Sequence, residues 1–364
     1  MSVLVDDDDY LDLWRELDPP RPERRPVRST HGLRRDEWAE YAIALGSGVH
    51  LALLLRFVLD WDDVTGTALI ALLTFIGVHY LIVSARSSPG VAIDKTITTV
   101  MWTVGACIVG VLAWMTTYVA VKGARQLSVS FFTKDLGEVT ALEPGGGLKH
   151  ALIGSFEQVG LATCAVVPVA VLTAVYLHEL RGRLAGLIRF VINSLAGLPS
   201  IVAGLLIFTL WPGYAGVKAS AALSILALPI VTRTAEEVLM TVPDGLREAS
   251  LALGAPQWKM VLRVVLPTAK AGLVTATLLA IARMVGETAP VILTAGSSSN
   301  VNWSPLDGAQ SSLPTFVWDL VRVANARQVE RAWGGAFVLL ILVLLAFAAA
   351  RFTLARSERK LGRR

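Results

Sequence analysis

Apolar residues in this sequence form long, nearly continuous blocks that are separated by shorter polar segments. A block of about 18 or more apolar residues is a candidate membrane-spanning helix, because a helix needs ~20 residues to cross ~30 Å of hydrocarbon. Only helices and closed barrels satisfy their own backbone groups in lipid, and these blocks are too long for barrel strands. We therefore predict an all-α, polytopic helical membrane protein. Its eight predicted transmembrane helices cover residues 41–59, 66–85, 97–121, 151–177, 193–211, 217–235, 271–295 and 333–354.

The polar segments between the blocks predict the orientation. About 23 of the 33 Lys and Arg residues lie in segments that a cytoplasmic N-terminus would place inside. Because cytoplasmic segments carry an excess of Lys and Arg, we predict a multi-pass protein of the plasma membrane with both termini cytoplasmic. The polar residues 1–40 are predicted to be disordered. No apolar stretch with a small-residue cleavage site precedes the first block, so a removable signal peptide is not expected.

Composition, charge and cysteine spacing argue against nucleic-acid binding and against a metal site. Hydrophobic residues make up 54% of the chain, and the formal net charge is only +4. The basic residues flank the apolar blocks and form no independent patch, so nucleic-acid binding is not expected. Cys107 and Cys164 lie inside apolar blocks without any metal-ligand spacing. We interpret both as small buried apolar residues and predict no metal site.

The polar segment over 236–270 predicts a short helix between the sixth and seventh spans. Asp244, directly after Pro243, is a candidate N-cap. Gly254 suits the position after a helix end, and Pro256 prevents continuation. The pattern predicts an amphipathic helix over 245–253 and a second helix over 257–265. Such a helix can dock in the groove of a soluble partner, whereas the simpler alternative is an ordinary cytoplasmic loop.

Two ionisable residues, Arg283 and Glu287, lie within the seventh predicted span. Charged residues at membrane depth are costly and are candidates for function. Four residues apart, they share a helix face and can reach each other. The guanidinium group offers a planar set of donors that suits phosphate or carboxylate oxygens. The residues alone leave open an anion-pathway role or an internal ion pair that fixes packing.

The 236–270 segment also resembles a known signature. ABC importer permeases carry a cytoplasmic motif of Glu-Ala-Ala, three residues, Gly, nine residues and Ile-x-Leu-Pro. The run 248–250 (Glu-Ala-Ser), Gly254 and the run 264–267 (Val-Val-Leu-Pro) match it at those spacings, with Ser in place of Ala and Val in place of Ile. The resemblance implies a coupling helix that meets an ATPase subunit. Its candidate coupling residues are Asp244, Arg247, Glu248, Ala249, Ser250 and Gly254.

Energy for transport is expected to come from another subunit. The sequence contains no Gly-x-x-x-x-Gly-Lys-Ser/Thr phosphate loop. We therefore expect a transporter subunit that is not itself an enzyme, with no cofactor in this chain and with ATP bound by a partner subunit.

A second resemblance points to one class of permease. The run 281–290 is similar to the Arg-x-x-Gly-Glu-Thr-Ala-Pro pattern of PstA-type phosphate permeases, and the runs 174–179, 195–204 and 228–237 resemble other segments of that family. The resemblance implies an ATP-driven ABC importer of inorganic phosphate. It implies as partners a PstC-type permease, a PstB-type ATPase dimer and an extracytoplasmic phosphate-binding protein. The implied substrate-pathway residues are Arg283, Glu287, Thr288 and Arg233, although Arg233 also suits a structural arginine that snorkels near a span end.

The resemblance covers six of the eight predicted spans. The predicted organisation has four parts: a tail over 1–40, two additional N-terminal transmembrane helices over 41–96, a permease core over 97–356 and a basic cytoplasmic tail over 357–364. Within the core, the type-1 transmembrane domain covers about 148–350 and the coupling loop covers 236–270. In the last long external segment, 313–323 is read either as a short amphipathic helix or as an ordinary surface loop.

Three other functions remain as alternatives at this stage. The first is an ABC permease for a related oxyanion such as molybdate, sulfate or phosphonate. The second is an ion-coupled secondary transporter, which would leave the coupling motif unexplained and would commonly show repeated halves. The third is a membrane anchor or sensor that transports nothing, which the charged residues in the seventh span disfavour.

Overall fold

The computed structural model describes residues 35–60, 62–137, 139–180, 182–323 and 325–361. Residues 1–34, which hold most of the predicted disordered tail, and the last three residues of the predicted basic tail lie outside the described residues. All regular secondary structure in the described part of the chain is helical, with no strand, and this confirms the all-α fold. The chain divides into two compact units, the described residues up to Leu112 and those from Ala113 onwards.

The first unit is built from an N-terminal helical hairpin and the start of a third helix. Its helices are α1 (Arg35–Val58), α2 (Val64–Arg86) and the part of α3 (Pro89–Ala124) that ends at Leu112. Asp63 caps α2, because its carboxylate accepts hydrogen bonds from the backbone amides of Thr65 and Gly66 at 3.0 and 2.9 Å. Helices α1 and α2 approach closely at Gly48, where a Cβ atom would lie 2.5 Å from the carbonyl oxygen of Ala71.

Polar side chains also join the helices of the first unit. His79 of α2 is buried, and its ring stacks on Tyr41 of α1 with the ring centroids 4.7 Å apart. The Nε2 atom of His79 lies 3.1 Å from the hydroxyl of Thr99 on α3. Glu40 accepts a hydrogen bond from Arg86 at 3.0 Å. These contacts give Glu40, His79 and Arg86 packing partners within the first unit.

The second unit contains the remaining helices. Its elements are the end of α3, then α4 (Val129–Thr133), α5 (Lys149–Val175) with a π-helical turn (Tyr176–Leu180), α6 (Ala185–Ala196), α7 (Ser200–Leu210), α8 (Gly216–Met240), α9 (Asp244–Ala252), α10 (Gln257–Met260) with a π-helical turn (Val261–Val265), α11 (Leu266–Val285), α12 (Ala289–Thr294), α13 (Leu313–Arg322) and α14 (Ala326–Leu361).

The core of the second unit lies where α5, α8 and α11 pack together. Small residues dominate the contact: Ala162 of α5 and Ala219 of α8 are fully buried, and Ala280 of α11 is nearly so. Lipid is as apolar as a leucine side chain, so helices in a membrane associate through close packing, and small residues permit that approach. A sequence rich in alanine at these positions therefore forms a tight three-helix centre.

The number of spans agrees with the prediction. Within the described residues, seven helices are long and apolar enough to cross a membrane, and the bent pair α6 and α7 provides an eighth candidate. The predicted amphipathic segment at 313–323 is confirmed as helix α13, which begins with a capping box between Ser312 and Thr315. The alternative of an ordinary loop at this position is wrong.

The fifth predicted span is not a continuous helix. The prediction of one helix over 193–211 is wrong, because α6 ends at Ala196 and α7 starts at Ser200, and the two are bent by 106°. Pro199 lies at the break with φ −59° and ψ 137°. Proline lacks a backbone N–H and disfavours the helical conformation in the residue before it, so a break is expected there.

The seventh predicted span is also interrupted. Helix α11 ends at Val285, the next three residues are not helical, and α12 begins at Ala289. Gly286 follows the last helical residue, and Pro290 lies in the first turn of the next helix. Both are residues that end or start helices, so a continuous span over 271–295 is wrong.

The two cysteines also differ from expectation. Cys107 and Cys164 are unpaired and exposed on the surface of their helices, not buried within the protein. Because both lie on helices that qualify as membrane spans, their environment remains apolar in a bilayer without burial in protein.

Candidate substrate pathway and coupling helix

Helix α9 is a short helix that projects from the second unit with no buried residue. It begins after Pro243 and ends before Gly254, whose φ of +79° suits glycine. The predicted helix over 245–253 is confirmed. The predicted capping role of Asp244 is wrong: Pro243 is the N-cap residue, and Asp244 is the first helical residue. The Asp244 carboxylate instead accepts a hydrogen bond from Arg247 at 3.0 Å, one turn along the helix.

Exposed apolar side chains lie on α9 and directly after its last residue. Leu246 and Leu251 are about half exposed, and Leu253 is 88% exposed. Glu248 and Ala249 are exposed, and Ser250 is half-buried. Exposed leucines on a short helix outside the membrane are costly unless a partner covers them, so this surface has the character of a docking site. We call Leu246, Leu251 and Leu253 the α9 apolar face.

Arg247 anchors α9 to the rest of the unit. Its guanidinium group donates to the Glu179 carboxylate at 2.9 Å and to the carbonyl oxygens of Leu239 and Val242 at 2.8 and 2.5 Å. The side chains of Arg247 and Glu179 are only 12% and 4% exposed. The hydrogen bonds that Arg247 donates to the Glu179 carboxylate, together with the charge of that carboxylate, raise the pKa of Arg247. Arg247 therefore stays charged and holds α9 against the end of α5.

Glu179 was not singled out from the sequence as a site residue. It lies in the π-helical turn that ends α5, and its backbone carbonyl accepts a hydrogen bond from Gln257 at the start of α10 at 2.8 Å. Thus Glu179 contacts both α9, through Arg247, and α10, through Gln257. A carboxylate directly after an apolar span was the available signal, but sequence alone did not show its partner.

A hydrophobic cluster lies beneath this network. It joins the end of α5, the end of α8 and the start of α11, and its fully buried members include Ala174, Ala235, Leu239 and Val265. Because interiors are packed densely, we expect these three helix ends to move together.

Arg283 and Glu287 lie at the break between α11 and α12. The Arg283 guanidinium and the Glu287 carboxylate are 3.5 Å apart, and their side chains are 61% and 17% exposed. Ala282 and Met284, on either side of Arg283, are 4% and 3% exposed. The helix therefore turns its packed face into the core and Arg283 away from it. A mostly exposed arginine at the end of a span is costly against hydrocarbon, so it requires water or a polar partner.

Thr288 lies beside this pair at the start of α12. It is half-buried, and its carbonyl oxygen accepts the first backbone hydrogen bond of the helix from Ile292 at 3.0 Å. Helix α12 packs on α7 and α8. At Gly204 of α7, a Cβ atom would lie 2.7 Å from the Cα atom of Pro290, so the two helices are in close contact. The broken helix α6–α7 thus supports the segment that carries Glu287 and Thr288.

Arg233 lies on α8, and Asn193 holds it. The side-chain oxygen of Asn193 on α6 accepts a hydrogen bond from Arg233 at 2.8 Å. The contact of Val231 with Ala280 places α8 beside α11. At 1.5 Å per residue, Arg233 and Arg283 are offset along the bundle by about 7 Å. The two arginines therefore lie at neighbouring levels of the bundle. Their side chains have different partners, Asn193 for Arg233 and Glu287 for Arg283.

A second ion pair strengthens the attachment of α6 to α8. Arg189 of α6 forms an ion pair with Glu236 of α8. Neither Asn193 nor Glu236 was predicted to support the site. Within the described residues, no group of three or more His, Cys, Asp or Glu side chains could hold a metal ion.

Comparison with known proteins identifies the class of molecule to which this helical bundle belongs. Residues 166–362 match the family described as "Binding-protein-dependent transport system inner membrane component". The chain belongs to this family, whose members are the membrane-spanning permease components of ABC importers. As such a component it resides in the plasma membrane and works with an ATPase and a binding protein.

Within this family, several curated relatives carry a more specific name. "Phosphate transport system permease protein PstA 1" of Mycobacterium tuberculosis (strain ATCC 25618 / H37Rv) is 41% identical over 258 residues, which are 68% of this chain and 84% of the relative. "Phosphate transport system permease protein PstA" of Yersinia pestis is 36% identical over 257 residues, which are 68% of this chain and 85% of the relative. The corresponding Haemophilus influenzae protein is 36% identical over 239 residues, 64% of this chain and 83% of that protein.

A solved structure is also similar. The MetNI methionine ABC transporter in an inward-facing conformation contains a chain that matches with a TM-score of 0.46 and 24% sequence identity. The match covers 57% of this chain and 94% of that chain.

Proposed function

We propose that this protein is a transmembrane permease subunit of an ATP-driven importer of inorganic phosphate. The observation that carries the proposal is the exposure of Arg283, which faces away from the packed core between two buried neighbours. The names of relatives at 36–41% identity support phosphate as the substrate.

Arg283 and Glu287 together suit a transient anion site. The guanidinium group presents several donors in one plane, which matches the oxygens of a tetrahedral oxyanion. Glu287 lies 3.5 Å away and offsets the charge of Arg283 when no anion is present. An anion that arrives must compete with Glu287, so it binds weakly enough to leave again. Thr288 and Arg233 are the further residues proposed for this pathway.

Transport also requires coupling to ATP hydrolysis in a separate subunit. The α9 apolar face fits a groove on an ATPase, and Arg247 and Glu179 would carry the resulting movement into α5. Asp244, Glu248, Ala249, Ser250 and Gly254 complete the proposed contact. ATP binds the partner, and this chain contributes no ATPase activity of its own.

The proposed assembly is supported by the resemblance to PstA-type permeases and by the names of the relatives. It contains a PstC-type permease, a PstB-type ATPase dimer and an extracytoplasmic phosphate-binding protein. Both termini and α9 lie on the cytoplasmic side. ATP binding favours one of two states of the permease pair, and only such a differential affinity can shift access from one side to the other.

The substrate assignment is tested by uptake with competitors. Cells that lack other phosphate importers would be given labelled phosphate at low external concentration, with and without this gene. We expect uptake that requires the gene and that excess unlabelled phosphate abolishes. Equal inhibition by sulfate or molybdate, or unchanged uptake in the deletion strain, would sink the assignment to phosphate and leave a permease for another oxyanion or solute.

A further inference from the structure

A polar cleft lies where the end of α3 meets the start of α14, away from the proposed pathway. It has a volume of about 490 Å³ and is lined by Lys122, Arg125, Gln126, Asn325, Glu330 and Trp333, among others. Gly123 holds the two helices together, because a Cβ atom there would lie 2.5 Å from the carbonyl oxygen of Trp333. The cleft is thus a fixed feature of two packed helices and not a gap between mobile loops.

The cleft lies at the end of the bundle opposite the coupling helix. Ala332 of α14 packs in one buried cluster with Leu148 and Ala151 at the start of α5, whereas Arg247 holds α9 at the other end of α5. Helix α5 has 27 residues, which is about 40 Å along a helix at 1.5 Å per residue. That distance exceeds the ~30 Å thickness of the hydrocarbon core, so the cleft lies at the level of the lipid headgroups on the far side of the membrane.

Aromatic residues mark the same level. Tyr118 of α3 and Trp333 of α14 pack edge to face with their ring centroids 5.3 Å apart, and Trp114 lies 6.0 Å from Tyr118. Tyrosine and tryptophan concentrate where hydrocarbon meets headgroups. Trp114 and Met115 are 69% and 53% exposed, so an open apolar surface extends along α3 from the cleft towards the centre of the membrane.

The charges in the cleft are of both signs. Lys122 lies over the ring of Tyr118 at 5.7 Å, and Arg125 and Glu330 line the same space. Within the described part of the chain, no ion pair or hydrogen bond occupies these three side chains. Two cations suit a phosphodiester, whereas the carboxylate of Glu330 repels a second anion and suits an ammonium group. A free phosphate ion would gain from the cations and lose to the carboxylate.

We propose that this cleft binds the headgroup of an aminoalkyl phospholipid such as phosphatidylethanolamine. Lys122 and Arg125 bind the phosphate, Glu330 binds the ammonium group, and the acyl chains lie along the exposed face of α3. This site is distinct from the proposed transport pathway and does not depend on which anion the importer carries.

The test measures lipid retention by the purified full complex. Native mass spectrometry would compare the wild type with Lys122→Ala/Arg125→Ala after addition of phosphatidylethanolamine. Lys134→Ala/Arg322→Ala is the matched control, because it removes the same charge from two exposed residues outside the cleft. We expect the cleft variant to retain about 10-fold less of this lipid, as for a lost charge-assisted pair of contacts, and the control to retain the wild-type amount.

A second variant tests the headgroup and does not depend on how the double variant folds. Glu330→Gln should lower the preference for phosphatidylethanolamine over phosphatidylglycerol several-fold, because it removes only the partner of the ammonium group. Equal retention in wild type and cleft variant, or equal loss in cleft variant and control, would overturn the proposal. The proposal would also be overturned, in favour of a free-anion site, if millimolar inorganic phosphate displaced the lipid and Glu330→Gln left the lipid preference unchanged.

Discussion

Two arginines of the second unit show how the same side chain is used in opposite ways. Arg247 is nearly buried, and its donors are taken by Glu179 and by the carbonyl oxygens of Leu239 and Val242. Arg283 is 61% exposed and has one carboxylate 3.5 Å away. A guanidinium group whose donors are all used fixes an element in place. One whose donors are mostly free is available to a ligand, and on this difference we base the proposed mechanical role of Arg247 and binding role of Arg283.

The largest expected effect comes from removal of the partner of Arg247. Glu179→Ala should lower the stability of the assembled complex by about 3 kcal/mol, because it leaves a buried guanidinium group without its carboxylate. Thermal melting of the purified complex measures this. Glu237→Ala, an exposed carboxylate on α8, should change stability by less than about 0.5 kcal/mol. An equal, small effect of both substitutions would contradict the anchoring role.

A smaller loss, in transport and not in stability, is expected at the other arginine. Arg283→Ala should reduce phosphate uptake about 10- to 100-fold, which corresponds to ~1.5–3 kcal/mol for hydrogen bonds to a charged group. The melting temperature should stay close to that of the wild type, because this side chain packs on little. Arg283→Lys should restore part of the uptake. A large drop in melting temperature would instead assign Arg283 to packing.

The smallest effect concerns the backbone at the end of α9. Gly254→Ala should destabilise the complex by about 1 kcal/mol, because φ is +79° and a Cβ atom meets no neighbour there, so only backbone strain counts. Gly245→Ala is the matched control within α9: it also meets open space, and alanine favours a helix there by up to ~1 kcal/mol. Melting curves should shift in opposite directions, and a shift in the same direction would show that the helix end is not fixed as described.

Sequence patterns predicted what depends on local chemistry. Long apolar blocks predicted the helical membrane fold, and Pro243, Gly254 and Pro256 bounded the short helix α9. Hydropathy alone did not locate the bend at Pro199 or the stop at Gly286, because it does not distinguish a continuous span from two helices that break inside one apolar block. At both places the residue itself, proline at 199 and glycine at 286, was the signal for a break in the helix.

Contacts between distant segments could not be predicted. Glu179 and Arg247 are 68 residues apart, and Asn193 and Arg233 are 40 apart, so their pairing exists only after α5, α6, α8 and α9 have packed. The seventh block correctly suggested that Arg283 and Glu287 can meet, but they do so across the end of α11 and not on one continuous helix. Even there, the sequence did not show that Arg283 faces away from the core.

The most direct test of the account is the water accessibility of position 283 in the assembled importer. Arg283→Cys would be made in a chain with Cys107→Ser and Cys164→Ser, and its reaction with a charged, membrane-impermeant thiosulfonate would be timed. The account predicts rapid labelling that phosphate slows, and no labelling of the control Ala282→Cys, whose native side chain is buried. Labelling only by a membrane-permeant, uncharged maleimide, unaffected by phosphate, would place position 283 against lipid or packed protein and contradict the proposed pathway.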